Sequence, residues 1–121
     1  MSKRVLVIED TPDNRQIIRD LLTASGYEVI EAVDGAAGVD KAAQVVPDLI
    51  LMDIQLPIVD GYEATRRIKA NPALRPIPLI VVTSYALSGD DVKAFEAGCD
   101  AYVTKPFVPR QLLAKIREYL G

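Results

Sequence analysis

The stretch "DLILMDIQLPIVDGYE", Asp48 to Glu63, decides the fold. Four consecutive apolar residues, Leu49–Met52, run directly into Asp53. An unbroken apolar run of that length reads as a strand buried on both faces, the pattern of a parallel sheet covered by helices. Asp53 then stands at the carboxyl end of the strand, at the edge of the core. Pro57 and the pair Asp60-Gly61 mark a loop, in which the glycine is read as supplying backbone freedom. A helix is expected over Tyr62–Ala70, ended by Asn71-Pro72.

The same alternation extends in both directions. Upstream, Arg4–Glu9 reads as a buried strand. The helix after it has Pro12 in its first turn, Ile17, Ile18, Leu21 and Leu22 at helical spacing, and Gly26 at its end. Tyr27–Ala32 is the second strand, Asp34-Gly35 a turn signal, and Ala36–Val46 a small-residue helix stopped by Pro47. Downstream, strands are expected at Leu79–Thr83 and Ala101–Thr104, and helices at Asp90–Ala97 and Pro109–Tyr119. Five strands alternating with five helices imply an α/β fold: a parallel sheet with helices on both faces. Five strands favour the flavodoxin-like order 2-1-3-4-5. That order binds ligands beyond the carboxyl ends of its first and third strands.

Those ends are polar. The first strand ends in Glu9-Asp10, the third in Asp53, the fourth in Thr83-Ser84 and the fifth in Thr104-Lys105. Three carboxylates brought together repel unless a cation intervenes. An all-oxygen set with few protein ligands suits Mg²⁺. The carbonyl of Gln55 offers a further oxygen, Lys105 a positive charge and Thr83 a hydroxyl. A carboxylate nucleophile with a divalent metal, a lysine and a hydroxyl suits phosphoryl transfer onto aspartate.

The bulk composition bounds the alternatives. The chain has 121 residues, half of them hydrophobic, and a net charge of −3, which fits one domain with one core. No basic stripe points to nucleic acid, no segment is long enough to span a membrane, and the N-terminus lacks the apolar core of a signal peptide. The single cysteine, Cys99, fits a reducing cytoplasm and reads as a small packed residue. The chain contains no histidine, so a phosphohistidine must come from a partner. Asn14 reads as a solvated first-turn residue, and Arg66, Arg67 and Lys69 as a solvated helix face. Gln55 and Tyr85 flank the strand ends.

Together, Glu9-Asp10, "LMD" with Asp53, "LP…DG" over Leu56–Gly61, "VVT" with Thr83, "EAGCDAY" over Glu96–Tyr102 and Lys105-Pro106 resemble the receiver domain of two-component response regulators, the CheY-like family. The resemblance covers residues 1–121 as a single receiver domain and lies nearest to phosphorelay receivers, stand-alone ones of the DivK kind or those attached to hybrid kinases. It implies Asp53 as phospho-acceptor. It also implies Asp10 as a direct Mg²⁺ ligand, Glu9 acting mainly through water, and the Gln55 carbonyl as third ligand. Thr83 is implied as the switch hydroxyl, Lys105 as the phosphoryl partner and Tyr102 as the rotating aromatic. A half-exposed strand tyrosine is the plainer reading of Tyr102. A cis Lys105-Pro106 bond is implied too. Thr11 departs from the asparagine commoner at that place.

The expected partners are a histidine kinase or histidine phosphotransfer protein. A downstream protein, or a second copy of this chain, is expected to meet the surface formed by the fourth helix, fifth strand and fifth helix. Beyond its own phosphorylation and dephosphorylation no enzyme activity is expected. The competing reading is a metal-dependent phosphohydrolase with an aspartyl-phosphate intermediate, but the common form of that site needs an acid where Gln55 stands. Met1 suggests a natural start. Both a stand-alone receiver and a domain of a longer protein fit the end at Gly121.

Overall fold

Five parallel strands form one sheet in the order β2-β1-β3-β4-β5: β1 (Arg4–Ile8), β2 (Glu28–Ala32), β3 (Leu49–Met52), β4 (Leu79–Thr83) and β5 (Ala101–Thr104). The computed structural model describes residues 2–83, 90–105 and 108–120. Its helices are α1 (Pro12–Ala24), α2 (Gly35–Val45), α3 (Gly61–Ala70), α4 (Asp90–Ala97) and α5 (Pro109–Leu120). The flavodoxin-like order read from the sequence is the observed one.

Side chains alternate across each strand and divide the core in two. Leu6, Ile8, Ile50, Met52, Leu79 and Val81 face one way and pack with Ala42 of α2, Ala64 and Ile68 of α3 and Ala94 of α4. Val5, Val7, Leu49, Leu51, Ile80 and Val82 face the other way and pack with Ile18 and Leu22 of α1 and Leu112 and Ile116 of α5. Both layers are closed, which is why the central strands carry continuous apolar runs instead of a polar-apolar alternation.

Element ends differ from expectation in ways the local chemistry explains. Asp34-Gly35 is a helix start, not a separate turn: Asp34 caps α2 by accepting from the Ala37 amide at 2.7 Å. That helix ends one residue early because Val46, before Pro47, leaves the α region and caps it with φ +49°. The Arg4 guanidinium donates to the freed Val45 carbonyl at 2.8 Å. Gly26 (φ +90°) and Gly98 (φ +112°) follow the ends of α1 and α4 in the left-handed region, as the glycine positions suggested.

At the amino-terminal end of β4, Lys69 is drawn inward. Its ammonium donates to the carbonyls of Arg75 and Ile77 and to Asp100, at 3.0, 2.7 and 2.9 Å. The expected solvated face therefore holds only for Arg66 and Arg67, which pair with Glu63. Asp100 also accepts from the Leu79 amide, and its carbonyl accepts from the Tyr119 hydroxyl. This cluster joins α3, β4, the turn into β5 and α5. Cys99 beside it is buried, and burial pushes its thiol up to about 11.

Candidate functional site

The sheet ladder brings the site together. Hydrogen bonding continues one residue past the strand ends: the Glu9 amide donates to the Ala32 carbonyl and the Asp53 amide to the Ile8 carbonyl. Glu9 and Asp53 therefore emerge side by side at the carboxyl edge of β1 and β3. Carboxylate oxygens of Glu9, Asp10 and Asp53 lie within 4.8 Å of one another. Glu9 and Asp53 are buried while Asp10 is exposed, so the cluster opens to solvent on the Asp10 side.

Lys105 closes the other side. Its amide donates to the Thr83 carbonyl at 2.7 Å, which ties the end of β5 to the end of β4. Its ammonium donates to Glu9 Oε1 at 2.6 Å and lies 3.5 Å from Asp53 Oδ2. Thr83 ends β4 and is fully buried. The Gln55 amide donates to Asp53 Oδ1 at 3.3 Å, and the Gln55 side chain points to solvent. Tyr102 is half-buried and packs against the core layer that α2, α3 and α4 cover. Ser84, Tyr85 and the Lys105-Pro106 bond lie outside the described residues.

The loop from Asp53 to Gly61 is held by backbone contacts. Gly61 donates to the Ile54 carbonyl at 2.8 Å, and Asp60 caps α3 by accepting from the Glu63 amide. Gly61 serves close approach instead of the backbone freedom expected of it. A Cβ there would sit inside the Asp53 carbonyl group and against the Ile54 Cα. Gly35 does the same for the Val59 carbonyl on the far side of the loop. At the tip, Ile58 is exposed with φ +71°, an uncommon conformation for a β-branched residue.

Charge is unevenly divided between the two buried acids. Burial, reinforced by the hydrogen bond and repulsion from Glu9, raises Asp53 to about 7. Burial pulls Glu9 upward as well, but the hydrogen bond with Asp53, the Lys105 ammonium and Asn14 outweigh it and hold Glu9 below its ordinary value. Asn14 is thus half-buried and acts on the site, where a solvated residue was expected. Glu9 Oε2 is buried with no hydrogen-bond partner among the described residues. An orphaned carboxylate oxygen beside two further carboxylates is a donor set that a hard divalent cation satisfies.

The residues 5–117 match the family model described as the response regulator receiver domain. The chain belongs to the response regulator receiver domain family. This receiver domain is 45% identical over 121 residues to the polar-differentiation response regulator DivK of Brucella ovis, covering 100% of this chain and 98% of that one. It is 37% identical, with TM-score 0.93, to the receiver domain of a sensor histidine kinase from Pseudomonas aeruginosa, solved with a magnesium ion coordinated in the active site cleft; 100% of this chain and 99% of that one are covered. A CheY-like receiver domain protein from Methanospirillum hungatei is 36% identical with TM-score 0.91, over 99% of this chain and 94% of that one. Its place in the family makes this receiver domain a phosphoryl-accepting component of two-component signalling.

Sequence motifs pointed to Glu9, Asp10, Asp53, Thr83 and Lys105. They gave Arg15 no role. Arg15 Nη1 donates to the main-chain carbonyls of Glu9 and Asp10 at 3.0 and 3.1 Å. An arginine in the second turn of a helix carries no distinguishing pattern, and only its five-residue spacing from Asp10 places it back over the loop.

Proposed function

We propose that Asp53 accepts the phosphoryl group, that Glu9, Asp10, Asp53 and the Gln55 carbonyl hold Mg²⁺, and that Thr83 and Lys105 read the result. One observation carries this reading: a buried carboxylate ends the central strand within 4.8 Å of two further acids and 3.5 Å from a lysine. When bound, Mg²⁺ supplies positive charge against the carboxylates and the phosphoryl oxygens. The chain's own residues do the rest. The Asp53 amide bond to Ile8 fixes the end of β3 and the Gln55 amide holds Oδ1, which leaves Oδ2 as the attacking oxygen. That oxygen forms a bond to phosphorus as the phosphorus–nitrogen bond of a partner's phosphohistidine breaks. The bonding pair returns to the imidazole nitrogen of the donor.

The new group brings roughly two negative charges to the edge of the sheet. Lys105, held by Glu9 and lying 3.5 Å from Asp53, gains a further anionic partner, and the Thr83 hydroxyl gains an acceptor. Because the Lys105 amide is bonded to the Thr83 carbonyl, movements of β4 and β5 are coupled. The surface they move is that of α4, β5 and α5, with Tyr102 within it. On that surface Val92 and Phe95 of α4 and Tyr119 of α5 are exposed. A histidine kinase or phosphotransfer protein is the donor, and a downstream protein or a second copy of this chain is the reader. The whole chain acts as one receiver domain in the cytoplasm, with no catalysis beyond its own phosphorylation and dephosphorylation. No helix among the described residues is long and apolar enough to cross a membrane.

Intact-mass measurement after incubation with acetyl phosphate and Mg²⁺ tests the reading. One phosphoryl group is expected on the wild type and none on Asp53→Asn. Equal labelling of both sinks the assignment of Asp53. An amide shift map with beryllofluoride tests the output: changes are expected at Tyr102 and in α5, and shifts confined to the neighbours of Asp53 sink that part alone.

A further inference from the structure

We infer that Arg15, oriented by Glu31, is a positioning residue for the metal-binding loop and sets its affinity for Mg²⁺. The inference rests on reading Glu9, Asp10 and Asp53 as the Mg²⁺ site. Beyond Glu9 the chain leaves the sheet, so the carbonyls of Glu9 and Asp10 have no strand to bond. Arg15 Nη1 takes both, at 3.0 and 3.1 Å. Asp10 is exposed, so side-chain packing does little to orient it, and its main chain is where Arg15 holds it. Fixing its carbonyl fixes that peptide plane.

Arg15 is itself held. Its Nε lies 3.6 Å from Glu31 Oε1, and its side chain is 19% exposed. Glu31 sits on β2, in register with Val7 of β1, so the anchor is part of the sheet that carries Glu9. Arg19, one turn along α1, donates from Nη1 to both Glu31 oxygens, to Oε2 at 3.0 Å and to Oε1 at 3.3 Å. The chain of contacts that positions the loop runs from Glu31 to Arg15 to the carbonyls of the acidic pair, and Arg19 meets it only as a second cation on Glu31.

Geometry and charge make opposite predictions, which renders the inference testable. As a charge alone, a guanidinium beside a cation site repels the cation, and its removal tightens binding. As a positioning group, its removal loosens the ligand loop and weakens binding; loss of an outer partner that holds a ligand typically costs about 10–100-fold in metal affinity. Arg19 separates the two effects, because Arg19→Ala removes the same charge nearby and leaves the bonds from Arg15 in place.

The experiment is a calorimetric Mg²⁺ titration of the full chain and its variants, with folding checked by thermal melts. Arg15→Ala is expected to weaken Mg²⁺ binding by about tenfold. Arg19→Ala is expected to leave binding unchanged or slightly tighter. Glu31→Gln is expected to weaken it, and to add nothing in the Arg15→Ala background, because the two residues act in series. Unchanged or tighter binding by Arg15→Ala overturns the inference, as does an equal loss in Arg19→Ala. If Arg15→Ala does not fold, Arg15→Lys carries the test, because it keeps the charge and loses the fork that spans Glu31 and the two carbonyls: weaker binding supports the inference and unchanged affinity overturns it. A wild type that binds no Mg²⁺ overturns the metal site and the inference with it. A wild type whose binding is lost in Asp10→Asn but unchanged in Arg15→Ala overturns the inference alone.

Discussion

Lys105 donates to Glu9 at 2.6 Å, a shorter contact than the 3.5 Å that separates it from Asp53. The lysine therefore stabilises the charged form of Glu9 more than that of Asp53. Both partners are largely buried, so removing the cation strands a carboxylate. Lys105→Met is expected to lower stability by about 3 kcal/mol at neutral pH. The Glu9→Gln, Lys105→Met double variant is expected to recover much of that loss. Urea unfolding of the four proteins measures the coupling, and additive losses would show that the pair does not act as a unit.

The raised Asp53 carboxyl gives stability a pH dependence of known sign. Its folded value is about 7 against an ordinary 3.8, so the native state binds more protons than the unfolded state between those limits. Its contribution therefore falls as pH rises from about 4 to about 7. Glu9, held below its ordinary value, contributes oppositely, and its share is lost as pH falls through the folded value. Asp53→Asn removes the first effect. The variant is expected to be more stable than wild type at pH 8, by about 1–3 kcal/mol, with the difference shrinking toward pH 5. Urea midpoints across that range check it, and a difference independent of pH counts against the buried-acid account.

Gly61 predicts a different failure. An alanine there forces the Asp53 carbonyl and Ile54 apart from α3, at an expected cost of about 1–3 kcal/mol. The displaced backbone is that of Asp53 itself, so phosphoryl uptake is expected to fall more than stability does. Intact-mass labelling rates at a temperature where the variant is fully folded separate the two. Wild-type labelling by Gly61→Ala would mean that the loop tolerates the displacement.

At the opposite end of the sheet, Lys69→Met leaves the Asp100 carboxylate and the carbonyls of Arg75 and Ile77 without their cation. A loss of about 2 kcal/mol is expected. Phosphoryl uptake by the folded variant is expected to match wild type, because the cluster lies at the strand ends remote from Asp53. Thermal melts and labelling of the same sample test both halves.

How much of this was legible in the sequence follows from what each feature depends on. The strand order rests on unbroken apolar runs such as Leu49–Met52, and periodicity reports those directly. Asp53, Glu9, Asp10, Thr83 and Lys105 stand at the ends of such runs, so the topology alone converges them. Lys69 and Asn14 were misread because a long or amide side chain on a helix looks solvated until its neighbours are known. Gly61 was misread because a missing Cβ can serve either torsional freedom or close approach, and only the Asp53 carbonyl distinguishes them. Arg15 was given no role because its partners are main-chain carbonyls, which every sequence has.

Cys99 bears on how these tests can be run. Its thiol is buried and pushed up to about 11, so at pH 7 only about one molecule in ten thousand carries the reactive thiolate. A maleimide reagent will pass it by while attacking an unperturbed thiol introduced on the surface. A fluorescent or spin reporter can therefore be attached through a new cysteine at the exposed Val92 position without first replacing Cys99. The native chain already serves as the background for single-site labelling, and the motion of α4 can be followed in real time.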